Sequence, residues 1–471
     1  MGKLESMSRA GAVGRAYAYF DNGGFLADLT RRVAIPSSSQ EPERTAALRR
    51  YLTDEIVPTL SRLGFACRVL DNPLGPPVLA AERIENAAFV TVLVYGHGDT
   101  VRGLDDLWRS GLSPWRVVVE GDRIYGRGTA DNKGQHTINI AGLEAVLAER
   151  GSLSFNCKVL IEMGEEVGSA GLHELCERHR GDLFKADILI GSDGPRNAPS
   201  EPTIFLGARG TYPFELIVNL REGSHHSGNF GGLIANPGII LAHALASITD
   251  ARGAIRVPEW RPPLPASVRQ TLAGVEVDSG PEGPRIDRDW GEPDLTPAER
   301  VFGWNSFEIL AFHTGTPERP VNAIPGVARA YCQLRYVVGT EVNEIIPALQ
   351  RHLERQGFTQ VEVKPGEGGH FYASRLDPAD PWVTWAKRSM ERTTGRAPTI
   401  LPNLGGSLPN DIFADVLHLK TIWVPHSYAG CSQHAPNEHL LAPIAREGLG
   451  LTAGLFWDLG VYAEREMRIT N

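Results

Sequence analysis

The sequence predicts an α/β protein: a main domain with a mixed sheet flanked by helices on both faces, interrupted by a smaller α+β domain. Three observations predict it. Short runs rich in Val, Leu and Ile alternate with stretches of helical apolar spacing through the first two hundred residues. The texture changes after about residue 208 and returns near residue 380. His97, Glu165, Glu166 and Asp193 each follow an apolar run, where open α/β sheets place their ligands.

In chain order, "RTAALRRYLTDEIVPTLSRLGF" reads as helix, and "CRVLDN" and "FVTVLVYGH" read as strands. "GQHTINIAGLEAVLAERG" is helical, with Gly151 as its C-cap. "CKVLIEMGEE" and "ADILIGSDG" are strands that end in polar turns. These elements place residues 1–207 in the first part of the main domain. In the insertion, 208–380, "TYPFELIVNL" reads as strand and "IANPGIILAHALASIT" as helix. "VARAYCQLRYVV", "VNEIIPALQRHLERQGF" and "QVEVKPGEGG" then give strand, helix and strand. The helix "PWVTWAKRSMERTTG" and the strand "HLKTIWVPH" return to the main domain, 381–471. Residues 251–300 are rich in Pro, Gly and charge and read as an ordered loop or insertion.

Composition narrows the function. The chain has 471 residues, 42% hydrophobic and 22% charged, ordinary for a soluble globular protein of two or more domains. A net charge of -9 argues against a nucleic-acid surface. No apolar run is long enough to span a membrane, and the N-terminus lacks the apolar core of a signal peptide. Gly2 and Ser6 meet the loose M-G-x-x-x-S acylation pattern, but one short signal does not anchor a protein stably. The five cysteines are odd in number and widely spaced, which suits reduced thiols in a cytoplasmic protein.

Five short segments share one chemical character: "VYGHGDTV" with His97 and Asp99, "IYGRGTADNKGQ" with Asp131, "MGEEVGS" with Glu165 and Glu166, "IGSDGP" with Asp193, and "CSQHAPNEHL" with His434. Singly, a His or Asp at a strand end is usually a turn or cap residue. Together, imidazoles and carboxylates among small Gly neighbours form a donor set that borderline divalent ions accept. One His and one carboxylate per ion, with a shared bridging carboxylate, would build a two-metal hydrolase centre. The adjacent glutamates pose a problem, since neighbours on a strand face opposite ways. For both to serve one site, the strand must end or twist between Met163 and Val167, which the flanking Gly164 and Gly168 permit.

These motifs, with "GARG" at 207–210, resemble in order and across most of the chain the M20 metallopeptidases, the dizinc aminoacylase, carboxypeptidase and dipeptidase group. The resemblance implies a catalytic domain and an inserted lid and dimerisation domain. It implies His97 and Asp193 on one metal, Glu166 and His434 on the other, and Asp131 bridging. Zinc is the expected ion at both positions, with manganese or cobalt as alternatives. Asp99 would orient His97, and Glu165 would be the general base. The Asp131–Asn132 peptide is often cis in such proteins.

The resemblance narrows toward the carnosinase-like dipeptidases. "SHHSGNFGGLIANP" resembles their lid motif, which implies that His226 reaches the partner subunit's active site in a homodimer, with His225 the neighbouring candidate. "VNAIPGVARAYCQLR" implies substrate contacts from Asn322 and Arg335, and "NLGGSLPNDIF" implies them from Gly405, Gly406 and Ser407. His370 in "GEGGHFY" sits where a substrate-contacting histidine is expected. The implied substrate is a small peptide with a free carboxylate. An N-acyl or N-carbamoyl amino acid is the alternative, and a metal-binding scaffold without catalysis is the third reading. No nucleic acid or membrane partner is implied. Residues 259–300 match none of the family's motifs.

Overall fold

The computed structural model describes residues 7–277, 285–366 and 371–470, with the side chains of 463–470 excepted. The expectations for Gly2, Ser6 and His370 therefore lie outside the described residues. The strands of the two main sheets are, in chain order, β1 (Ala66–Leu70), β2 (Val78–Arg83), β3 (Thr91–His97), β4 (Asn156–Glu162), β5 (Ile188–Gly191) and β6 (Thr203–Phe205). Then follow β7 (Gly210–Asn219), β8 (Ser306–Thr314), β9 (Val327–Tyr336), β10 (Val361–Pro365), β11 (Thr399–Leu401) and β12 (Lys420–Trp423).

The first sheet has eight strands in the order β1-β2-β4-β3-β5-β12-β6-β11. Its centre, β4-β3-β5-β12, is parallel, and β1 and β2 run antiparallel at one edge. Both faces are buried, so the central strands are continuous apolar runs. Val92, Val94, Val159, Ile161, Ile188 and Ile190 enter one core, and Leu93, Tyr95, Leu160 and Leu189 enter the other. Helices Lys133–Arg150, Pro381–Thr394 and Ala442–Thr470 cover the first face, and Leu172–His179 covers the second. The helix Lys133–Arg150 stops at Gly151, whose φ of 78° lets its N–H return to the Leu147 carbonyl.

The second sheet is antiparallel, in the order β8-β9-β7-β10. Period-two alternation on β9 buries Ala328, Ala330, Cys332, Leu334 and Tyr336 against helices Pro237–Ile248 and Ile345–Arg355. Arg329 and Tyr331 face the open side. The two passages between the sheets lie side by side, with Gly207 and Ala208 paired to Arg375 and Ser374. A Cβ at Gly207 would lie 1.9 Å from the Ser374 carbonyl oxygen, so the close crossing requires glycine.

The stretch 208–380 contributes side chains to both cores. Trp260 is buried in the second sheet's core, but the helices Ala266–Leu272 and Pro297–Phe302 fold back onto the first sheet. Val268, Leu272, Ala298 and Phe302 supply the apolar face that draws them there, in the same core as Trp423 and Leu401.

Candidate active site

Parallel strands β3, β4 and β5 present their carboxyl ends together, and the polar residues beyond them meet in one cleft. His97 is the last residue of β3. The two glutamates share one 3₁₀ turn, Glu165–Val167, because β4 has already stopped at Glu162. The strand thus ends earlier than the alternation argument required, and a turn aims both side chains. Gly168 is the glycine this needs: at φ 87° its N–H reaches the Glu165 carbonyl at 2.9 Å. Gly164, at φ -141°, has a backbone open to any residue.

Two donor groups form. His97, Asp131 and Asp193 present ligand atoms within 4.8 Å of one another, and so do Asp131, Glu166 and His434. Asp131 belongs to both through different oxygens. Its Oδ1 lies 3.0 Å from His97 Nε2, and its Oδ2 lies 3.1 Å from His434 Nε2. His97 Nε2 is also 3.5 Å from Asp193 Oδ2, and His434 Nε2 is 3.1 Å from Glu166 Oε2. The Asp193 Oδ2 atom is buried without a hydrogen-bond partner. A buried carboxylate oxygen left this way suits a cation better than an apolar interior.

Electrostatics follow from the crowding. Burial opposes charge on His97, but the surrounding carboxylates of Asp131, Asp193 and Asp99 outweigh it and raise its pKa well above the ordinary imidazole value. His434 is raised to about 11 by hydrogen bonds to Asp131 and Glu166. Burial also opposes ionisation of Asp131, yet the two histidines hold it well below the usual carboxylate range. Burial and the Asp131 charge push Glu166 up to about 7.

Glu165 differs from its neighbour. Its side chain lines the cleft with Asp131 and Asp193, but among the described residues no hydrogen bond or ion pair holds its carboxylate. Burial raises its pKa well above the ordinary value, with Glu166, Asp193 and Asp131 pushing the same way against His97. Cations in the two donor groups would pull it back toward neutrality.

Asp99 does more than orient a histidine. The His97 Nδ1 atom lies 3.1 Å from the Asp99 carbonyl and 3.4 Å from its Oδ1. The same carboxylate accepts the backbone N–H groups of Glu165 and Glu166, at 3.3 and 3.1 Å, and the Ser39 hydroxyl at 2.7 Å. It therefore ties the histidine to the glutamate turn.

Glu438 makes a similar tie that the motif "CSQHAPNE" contained but that was not singled out. Its Oε1 accepts the N–H groups of Gly128, Ala130 and Asp131 at 3.0, 3.0 and 3.1 Å, and Arg127 pairs with Oε2 at 2.8 Å. One buried carboxylate thus fastens the His434 loop to the Asp131 loop, whose Asp131–Asn132 peptide is cis. Glu438→Ala strands Arg127 and three backbone donors in the interior. We expect it to cost about 3–5 kcal/mol of stability, read as a lowered unfolding midpoint in urea; an unchanged midpoint would contradict the clamp.

The sequence model of peptidase family M20/M25/M40 matches residues 93–457, a span that contains His97, Asp131, Glu166, Asp193 and His434. The chain belongs to this peptidase family. It is similar to the human Beta-Ala-His dipeptidase, 27% identical across 94% of this chain and 92% of the relative. It is also similar to the Cys-Gly metallodipeptidase DUG1 of Saccharomyces cerevisiae, 24% identical across 88% and 91%. Among solved structures, yeast Dug1p superposes with a TM-score of 0.79, 22% identity and coverage of 97% and 99%. Human carnosine dipeptidase 1 superposes with a TM-score of 0.76, 25% identity and coverage of 95% and 100%.

In this M20 peptidase the cleft extends from the donor groups to Arg335, over a volume of about 670 Å³. Arg335 Nη1 donates to Ser407 Oγ at 3.1 Å, and Ser407 donates to the Arg209 carbonyl at 2.8 Å. The Arg209 guanidinium, unassigned within "GARG", is buried and grips the Gly405 carbonyl at 2.8 and 2.6 Å, fixing the Gly405–Ser407 loop. Gly406 lines the same end of the cleft. Gln433, also not singled out, donates to Asp131 Oδ2.

His226 and Asn322 are not brought to this cleft within one chain. His226 pairs with Ala323, and the Asn322 carbonyl accepts the Ser227 N–H at 2.9 Å, so both lie on an exposed corner of the second sheet's domain. His225 stacks edge-on against Phe230 there.

Proposed function

We propose that the chain is a metal-dependent dipeptidase that hydrolyses the amide bond of a short peptide with a free carboxylate. One observation carries this: two imidazole–carboxylate groups share Asp131, and an uncommitted carboxylate, Glu165, stands beside them. The relatives named for dipeptidase activity support the same reading.

His97, Asp131 and Asp193 would hold one cation, and Asp131, Glu166 and His434 the second, zinc being the ion this donor set fits best. When bound, such ions acidify a water and polarise a carbonyl. Glu165 then removes the proton of the attacking water and returns it to the leaving amine. Asp99 keeps His97 and the Glu165 turn in register throughout. Arg335, its fork steered by Ser407, anchors the terminal carboxylate. Replacing it with Ala should raise KM roughly ten- to hundredfold, and a carboxamide-terminated dipeptide should lose its disadvantage in that variant. Equal KM values for wild type and variant would remove Arg335 from the site.

The proposal includes a homodimer. β8 is an edge strand whose Ile309, Leu310 and Phe312 are 48%, 61% and 42% exposed, with Tyr331 beside them at 49%. A long apolar edge of this kind is a pairing surface. The partner subunit's His226, with Asn322 next to it, would then complete the site by stabilising the developing oxyanion. Mixing His226→Ala with Glu165→Ala protein should regenerate part of the wild-type rate after subunit exchange. Confirmed heterodimers without activity would remove the histidine from the partner's site.

A panel of dipeptides and N-acyl and N-carbamoyl amino acids, offered to zinc- and manganese-loaded protein, tests the reaction itself. Turnover of dipeptides is the expected result. Turnover confined to the acyl or carbamoyl substrates would replace the dipeptidase reading with a deacylase one.

A further inference from the structure

We infer that the cleft selects dipeptides whose carboxyl-terminal residue carries a bulky apolar side chain, through an apolar wall to which the segment that matches none of the family's motifs contributes Val277 and Ile286. The inference rests on the dipeptidase reading and on Arg335 as the carboxylate anchor.

The wall is apolar along its length. Phe302 and Leu404 are buried at 7% and 6% exposure, and Val277, Ile286 and Phe371 join them along the cleft. Phe302 ends the helix Pro297–Phe302, and Val277 follows the helix Ala266–Leu272; both helices are held in the core beneath β5 and β12. The segment folded back from the second sheet's domain thus forms one side of the catalytic cleft.

Position fixes which substrate residue meets this wall. A Cβ built on Gly405 would lie 4.0 Å from Phe302 Cε1, so the ring stands against the loop that adjoins Arg335 through Ser407. At the other end, a Cβ on Gly194 would lie 2.9 Å from Leu404 Cδ1, directly after Asp193. The apolar surface therefore runs from the metal-ligand end to the carboxylate end. A carboxyl-terminal residue carries its side chain one bond from the carbon bearing the anchored carboxylate. That side chain must lie beside the Gly405–Ser407 loop, against Phe302, in the cleft that Val277 and Ile286 also line.

Charge sharpens the choice. Among the described lining residues, the charged groups other than the metal-ligand set and Glu165 are Arg335 and Arg196, and Arg196 is already paired with Glu447 at 2.6 Å. Against Phe302, Val277 and Ile286 an acidic or basic side chain would lose its hydration, and among the described residues these apolar groups offer it no counter-charge. A glycine would leave apolar surface uncovered.

The test measures kcat/KM of the metal-loaded enzyme on Ala-Leu, Ala-Phe, Ala-Gly and Ala-Asp. Ala-Leu and Ala-Phe should exceed Ala-Gly by at least about tenfold, and Ala-Asp should fall below Ala-Gly. Ile286→Asp and Val277→Asp alter partly exposed positions of the wall, so the fold should tolerate both, with circular dichroism and metal content as the check. Each should lower the Ala-Leu to Ala-Gly ratio by about tenfold. Ala-Gly cleaved as well as Ala-Leu, or a ratio unmoved in both variants, would overturn the inference and leave the dipeptidase reading standing. Absence of turnover on every dipeptide would instead overturn that reading, and the inference with it.

Discussion

Glu165→Gln should lose about 10³-fold or more in kcat while keeping its full metal content, because a positioned proton acceptor contributes 10²–10⁴-fold and, among the described residues, no other carboxylate lining the cleft is uncommitted. Asp131, Asp193 and Glu166 are each engaged with a histidine, whereas Glu165 is not. The amide is nearly isosteric, and the backbone N–H of residue 165 still donates to Asp99. The turn therefore keeps its place, and only proton acceptance is removed. Measured kcat together with metal analysis separates the roles. A variant that loses metal as well as rate would make Glu165 a ligand, and one that keeps full rate would move the base elsewhere.

The second large effect is expected at Asp131. It is the residue common to both donor groups, and each of its oxygens faces a different histidine. Asp131→Ala should therefore drop metal content from two ions per chain toward none, with turnover lost. Glu166→Ala and Asp193→Ala each remove a ligand from one group and should retain one ion. Equal stoichiometry in all three variants, measured after dialysis, would contradict the sharing.

Acid should compete with the metal. Without a cation, His434 is raised to about 11, above its unfolded value. Its pairing with Asp131 and Glu166 therefore stabilises the metal-free fold below the ordinary imidazole pKa and is lost as pH rises through about 11. A cation must displace that proton, so loading at neutral pH should release protons and weaken as the pH falls. Calorimetry in two buffers of different ionisation enthalpy reads the release directly.

Much of this was legible in the sequence because the chemistry lies at strand ends. "FVTVLVYGH" and "ADILIGSDG" show both an unbroken apolar run and the polar residue that ends it, so the buried parallel centre of the sheet and the positions of His97 and Asp193 follow from one pattern. The glutamate pair was harder. Strand alternation would have turned one residue away, and the structure resolves the conflict with a 3₁₀ turn closed by Gly168. Glu438 and Arg209 were hidden for a different reason. Their partners are backbone groups of loops far away in sequence, and such bonds leave no periodic signal. The stretch 259–300 was opaque because the apolar residues it packs on the first sheet, Val268, Leu272 and Ala298, are sparse among prolines and charges, and only the distant sheet they cover gives them a pattern.

Anomalous diffraction from crystals of the zinc-loaded Glu165→Gln protein tests the shared-carboxylate centre most directly. Two peaks are expected, one among His97, Asp131 and Asp193 and one among Asp131, Glu166 and His434, with residue 165 coordinating neither. A single peak, or a peak bound by residue 165, would contradict it.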